Sequence, residues 1–208
     1  MRQQERALRT RARIVRAAAL EMDRLGYEGA RLSRVSQAAD ASMGAVTFHF
    51  PTKRALAEAV REEGVAGVAA VVDRAVEAGA PRLRAVADLT VALASLLERD
   101  VAARAAARVA REQPDVMEPW SGSWLPTVLD LLSRARADGQ LRPEHCPQTL
   151  AALVVYLLAG AEWEIRTGAG APAGGAGSAA ERLEQIWRLV LRGAAQGGPE
   201  PSPPPRMR

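Results

Sequence analysis

Two histidines and a single cysteine set narrow limits on the chemistry this chain can perform. His145 and Cys146 are adjacent, but neighbours make no nucleophile–base pair without a third group to orient the base, and none is evident. They read as a helix-start histidine and a small buried cysteine. Glu162 and Glu164 are two positions apart, so on a helix they point to different faces and form a poor acid–base couple. The glycines between 168 and 177 follow a helical pattern, not a strand, and lack a Lys-Ser/Thr pair, so neither phosphate-binding fingerprint applies. Metal-ligand spacing is absent. The chain is assigned no catalytic residue, no metal site and no cofactor, and a small helical enzyme is its weakest reading.

Charge points elsewhere. The net charge of +4 over 208 residues is unevenly spread: residues 1–62 hold 12 Lys and Arg against 7 Asp and Glu, while the remainder is close to neutral. A basic first third suits an anionic partner, either nucleic acid or a membrane surface. The membrane reading is the poorer one, because the first helical segment lacks the large aromatics that anchor an interfacial helix.

The elements that must position these residues are helices. The composition is 48% hydrophobic but only 4% aromatic, and its bulk is Ala, Leu and Val, which favours helix over sheet. A disulfide scaffold is excluded by the lone Cys146, and no run of about 18 apolar residues offers a membrane span. The charged N-terminus, MRQQERALRTRAR, has no apolar stretch for a signal peptide, so a cytoplasmic protein is expected. Helical periodicity runs from Gln4 to Leu25, with Leu8, Ala12, Val15, Ala18, Ala19, Met22 and Leu25 as its apolar stripe and Gly26 as its stop. Two short segments follow, Leu32 to Ala39 and Met43 to His49, the second capped by Ser42 and stopped before Pro51. Their lengths and the tight turn between them match a helix-turn-helix whose second helix reads DNA. Further helices read from Thr52 to Gly79, Pro81 to Leu97, Val101 to Gln113, Pro126 to Asp138, Gln148 to Thr167 and Ala179 to Ala195. Thr52 and Asp100 are cap candidates. The glycine-rich stretch at 168–179 reads as a flexible linker, and 196–208 as a disordered tail.

The segment from Thr10 to Val60 resembles the DNA-binding domain of the TetR family of bacterial repressors. The resemblance rests on Thr10, Ile14, the Ala17-Ala18 pair, Met22 before Gly26-Tyr27, Leu32-x-x-Val35, Ser42-x-Gly44, Phe50 and Lys53-x-x-Leu56, in that order and without a gap. The run Gly44-Ala45-Val46-Thr47-Phe48-His49-Phe50 looks most like the γ-butyrolactone receptors of actinomycetes and their pseudo-receptors. Three positions depart from the common pattern: Met43 stands where many members carry Lys, Thr47 where many carry Tyr, and Asp40 where the turn usually has Gly.

The resemblance implies an all-α protein with a three-helix DNA-binding domain at residues 1–52. A helical ligand-binding and dimerisation domain follows at 53–195, with the linking helix starting at 53. Ser42, Met43, Gly44, Ala45, Thr47, Phe48 and His49 then lie on or beside the reading helix, while Val46 and Phe50 pin it to the small core. Lys53 is the foremost phosphate ligand, with Arg31, Arg34 and Arg54 behind it and Arg2, Arg6 and Arg9 as an N-terminal arm.

All four tryptophans lie beyond residue 119. Trp124 occupies the place where the butyrolactone-receptor subfamily has a pocket tryptophan, and Trp120, Tyr156 and Trp163 are further pocket candidates. Two apolar stripes, Leu153 and Leu157 on one helix and Leu183, Ile186, Trp187 and Val190 on another, supply a homodimer interface or face the subunit's own core. The expected partners are an operator duplex, a small-molecule effector and a second copy of the chain, with half-sites about 34 Å apart. A pseudo-receptor answering to an antibiotic, or to no ligand, is the alternative.

Overall fold

The structure, a computed structural model, describes residues 2–115, 117–168 and 177–194, without the side chains of Arg2 and Gln3. The 196–208 tail, the greater part of the glycine linker and the Arg2 side chain lie outside the described residues. Nine α-helices make up the chain among those described: α1 (Arg2–Gly29), α2 (Leu32–Ala38), α3 (Met43–His49), α4 (Lys53–Glu77), α5 (Arg82–Arg99), α6 (Val101–Glu112), α7 (Leu125–Ala137), α8 (Pro147–Thr167) and α9 (Ala179–Ala194). No helix among the described residues is long and apolar enough to cross a membrane.

Two large apolar clusters organise these helices, with a small third of Leu97, Ala103 and Ala107 between α5 and α6. The first joins Ile14, Ala18 and Met22 of α1 to Val35, Val46, Phe50 and the first half of α4 through Val60. It also takes in Ala102, Ala105 and Val109 of α6, so the core of the head, the N-terminal helices α1–α3, is completed by a helix of the body that follows it. The second cluster packs α4 beyond Val68 with α5, α7, α8 and α9 around Leu89, Leu93, Val128, Leu132, Val154 and Leu158. One long helix, α4, thus threads both clusters.

The stripe expected on α1 is displaced by about a turn at each end. Leu8 and Leu25 are 61% and 37% exposed, and Ala12 is exposed, while Ile14, Val15, Ala17, Ala18, Ala19 and Met22 are buried. Periodicity identifies a helical face, but only the neighbouring helices decide how far along that face is covered. At Gly26 the helix breaks with φ 73° and ψ 179°, a conformation that residues with a Cβ avoid. One further turn then leads to α2.

Local caps fix the register of the other elements. Ser42 Oγ accepts from the Ala45 N–H at 3.1 Å, Thr52 Oγ1 from Ala55 N–H at 3.0 Å, and Asp100 Oδ1 from the N–H groups of Ala102 and Ala103 at 2.8 and 3.2 Å. Asp40 takes the left-handed conformation (φ 45°) that its departure from glycine demands. Arg13 secures that turn, donating to the carbonyls of Ala39 and Asp40 and to the Asp40 carboxylate at 3.0 Å. Cys146 is exposed, not buried: it lies before the first turn of α8, where its Sγ donates to Gln148 Oε1 at 2.7 Å.

Candidate nucleic-acid interface and effector cavity

Helix α3 is held by two buried side chains and presents the rest of its surface outward. Val46 and Phe50 are 0% and 3% exposed, and the Arg11 guanidinium sits 5.2 Å from the Phe50 ring centroid. The outward arc is centred on Gly44 and Phe48, one turn apart, with Met43 and Thr47 on one flank and Ala45 and His49 on the other. Ser42, Met43, Gly44, Thr47 and Phe48 are exposed, and Ala45 and His49 are half-buried. All seven residues expected beside the reading helix are thus gathered on one small element.

The cations expected to hold phosphate fall into two groups. Arg31 and Arg34 are exposed and have no ion-pair partner among the described residues. Lys53 is half-buried at the start of α4; its Nζ donates to the Glu28 carbonyl at 3.0 Å and lies 4.8 Å from the centroid of the Tyr27 ring. An ammonium has three donors, so this seat positions the charge beside the amides of the α4 N-terminus without using all its bonding capacity. Arg9 pairs with Glu5 at 2.6 Å and Arg54 with Glu58 at 3.0 Å, both exposed pairs within one helix.

The head is seated on the body through α6. Asp23 of α1 binds Arg104 at 2.9 Å, and its carbonyl accepts from Arg108 at 2.7 Å. Glu112 closes the contact: its carboxylate accepts from the Tyr27 N–H at 2.7 Å and from Arg108 at 2.7 Å. A Cβ on Gly26 would lie 2.4 Å from the same carboxylate, so glycine there serves both the backbone break and the close approach. Partial burial raises the Glu112 pKa, but the Arg108 hydrogen bond, the Tyr27 N–H and the charges of Arg108 and Arg111 together outweigh it and hold the carboxyl below its ordinary value. A depressed native pKa contributes stability above the unfolded value of about 4.3 and loses it as pH falls through the lower native one. Urea midpoints of the wild-type and Glu112→Gln proteins should therefore differ at pH 7, with the wild type the more stable, and the gap should narrow as pH falls below the unfolded value. A gap that stays constant down to pH 3 would contradict this assignment.

Beside this seat lies a cavity of about 260 Å³ between α6, α8 and the short 3-10 turn Trp120–Ser123. Ala107, Ala110, Val155 and Leu158 give it apolar walls; Trp120, Trp124, Arg111 and Glu162 give it polar points. The two indoles meet edge to face with centroids 5.7 Å apart, and the Nε1–H of each is buried without a hydrogen-bond partner. The Nε1–H of Trp187, in the subunit's core, is unpaired in the same way. Glu162 is 6% exposed and pairs with Arg111 of α6, with Arg166 at 3.9 Å.

Of the four aromatic residues expected in a pocket, Trp120 and Trp124 line this cavity. Tyr156 and Trp163 do not: they are 72% and 54% exposed on α8, and Tyr156 borders a second apolar pocket of about 380 Å³ with Leu125, Leu129, Ala151 and Val155. Sequence reasoning missed Arg111 and Glu162 as cavity residues. The signal was present, because Glu162 continues the buried series Val154, Leu158 at four-residue spacing, and a carboxylate on a buried face requires a cation. Glu164, by contrast, pairs with Arg182 of α9, so the two glutamates do face different ways.

The outer surfaces of α8 and α9 form a further apolar area. Leu153 and Leu157 are half-buried alongside exposed Tyr156 and Trp163; on α9, Ile186 and Leu189 are 36% and 68% exposed and Val190 is half-buried. Leu183 and Trp187 turn the other way, into the subunit's own core, where 4% and 2% of their surfaces remain exposed. Those two α9 positions have almost no area left to offer a partner.

Comparison with known proteins agrees with this geometry. Residues 14–60 match the family described as bacterial regulatory proteins, tetR family. The A-factor receptor protein of Streptomyces griseus is 30% identical over 200 residues, spanning 95% of this chain and 68% of that protein. A crystal structure of a gamma-butyrolactone receptor (ArpA-like protein) superposes with a TM-score of 0.76 at 25% identity, covering 92% of this chain and 91% of the other. CprB of Streptomyces coelicolor, a TetR family protein, gives a TM-score of 0.76 at 27% identity with the same coverage, and its complex with its biological operator sequence gives 0.72 at 26%. The basic head, the outward face of α3 and nearly full-length likeness lead to one assignment: the chain belongs to the tetR family of bacterial regulatory proteins, transcription regulators and not enzymes.

Proposed function

We propose that the protein is a homodimeric, ligand-responsive transcriptional repressor. In this reading residues 1–52 form the DNA-reading head, and residues 53–195, starting with the linking helix, sense the effector and dimerise. The observation that carries the proposal is the double use of α6. Its last turn places Arg111 at the cavity and the next residue, Glu112, against Gly26 and Tyr27 of the head. A molecule in the cavity that displaces Arg111 from Glu162 acts on the same turn that seats the head. Such a ligand releases DNA only if it binds the DNA-free arrangement more tightly than the DNA-bound one.

The effector suggested by the cavity is small and largely apolar, with polar oxygens for the Arg111 end. A γ-butyrolactone-type signal has that chemistry, and the relatives described as butyrolactone and A-factor receptors support it. The operator is a two-fold duplex read by two heads. Selection of binding duplexes from a random library, followed by mobility shift at two salt concentrations, tests the reading. Expected is a pseudo-palindromic site whose affinity falls steeply with salt; enrichment of no sequence would refute it.

Dimerisation is assigned to the outer faces of α8 and α9, with Tyr156, Trp163 and Leu189 among the contacts. Leu189→Arg should leave the monomer's stability within about 0.5 kcal/mol, since the residue is exposed, yet shift sedimentation from dimer to monomer at micromolar concentration. An unchanged dimer would move the interface elsewhere.

A further inference from the structure

We infer that the reading helix recognises thymine through its 5-methyl group, with Phe48 and Met43 as the contacts and Gly44 as the space beside them; this rests on α3 being the DNA-reading element. Phe48 is 81% exposed, more than any other large apolar side chain described, and Met43 is 41% exposed. Side chains of this kind on a seven-residue helix add nothing to the head's core, which is already closed by Val46 and Phe50. Gly44 is equally unexplained from within. Its φ is not in the positive range, and an added Cβ would meet only Ser42 Oγ, at 3.9 Å. Glycine weakens a short helix, and here no internal contact or backbone turn requires it. It lies one turn before Phe48 on the outward arc, so its missing side chain leaves the ring's inner edge open for a base.

The hydrogen-bonding groups of the same face are few, and two of them also serve the helix itself. Ser42 Oγ already caps the helix, and Thr47 Oγ1 lies 3.1 and 3.2 Å from the carbonyls of Met43 and Gly44, to which it donates. His49 is half-buried beside Phe48, the ring centroids 5.3 Å apart. No Arg, Lys, Asn, Gln, Asp or Glu stands on α3, so the bidentate pairings that read guanine or adenine are missing from this helix. In the major groove the apolar mark available to such a surface is the thymine methyl.

The experiment compares operators recovered by full-length protein from a random duplex library, made once with thymidine and once with deoxyuridine throughout. Deoxyuridine removes the methyl and keeps the pairing. The expected result is about a tenfold loss of affinity on the deoxyuridine operator, from one methyl contact in each half-site, and no difference on an unrelated duplex. The loss should shrink in Phe48→Ala and disappear in the Met43→Ala/Phe48→Ala double variant, since neither exposed side chain belongs to the head's core. Gly44→Ala should bind the thymidine operator more weakly while its thermal midpoint holds or rises. A specific complex equally tight on both operators overturns the inference and leaves the repressor reading intact. A deoxyuridine penalty that persists unchanged in the double variant also overturns it, because the methyl then acts through duplex shape. Failure to enrich any operator removes both.

Discussion

Replacing Gly64 by alanine is expected to lower the thermal midpoint by about 4–8 °C, corresponding to roughly 2 kcal/mol for a chain of this size. Gly64 lies on α4 where α6 crosses it, and an added Cβ would stand 2.6 Å from the Ala102 carbonyl oxygen and 2.8 Å from the Ala106 Cβ. The first of these is backbone and cannot rotate away, so the two helices must separate. That separation disturbs both apolar clusters, because α4 threads them and α6 completes the head's core. It also tilts the head relative to the body, so operator affinity should fall by more than the lost stability accounts for. Gly122, whose added Cβ would have nothing within 4 Å, supplies the control: Gly122→Ala should leave the midpoint almost unchanged. A Gly64→Ala protein as stable as wild type would mean that α4 and α6 are not in this close contact.

The second large effect is expected at Trp124. Phenylalanine there keeps an aromatic ring in a site that is 1% exposed but removes the indole N–H, which has no partner in the protein. Removing an unsatisfied donor carries no hydrogen-bond loss in the free protein, so stability should fall only by the smaller ring's packing, about 1 kcal/mol. Effector binding should suffer more, by about tenfold, since the smaller ring reshapes the cavity wall against which the ligand packs. Titration of a γ-butyrolactone against the two proteins, read by calorimetry, separates these effects. Equal affinities would remove the Trp124 indole from ligand recognition.

Features set by local chemistry were legible before the structure. The bounds of α3, the three caps at Ser42, Thr52 and Asp100, and the left-handed Asp40 each follow from a few adjacent residues. What escaped depends on contacts between distant segments. Glu112 meets Tyr27 across 85 positions, and Arg13 reaches the Asp40 turn across 27, so neither is visible in any local pattern. The aromatic residues show the same limit. A tryptophan on an apolar helix face suits a cavity, a core or an interface alike; only packing separates Trp124 beside the cavity, Trp187 in the core and Trp163 on the outer surface. Likewise, Lys53 was legible as a cation at a helix start, but not its seat on Tyr27 and the Glu28 carbonyl.

The central claim is that one small molecule, bound beside Trp124, lowers the affinity of the head for its operator. The direct measurement is a titration of the fluorescently labelled operator complex with a γ-butyrolactone, following DNA anisotropy and tryptophan emission in the same sample. The account predicts that both signals change over one concentration range, the operator being released as the tryptophan emission reports occupancy. Tryptophan emission that saturates while the operator stays bound would contradict it.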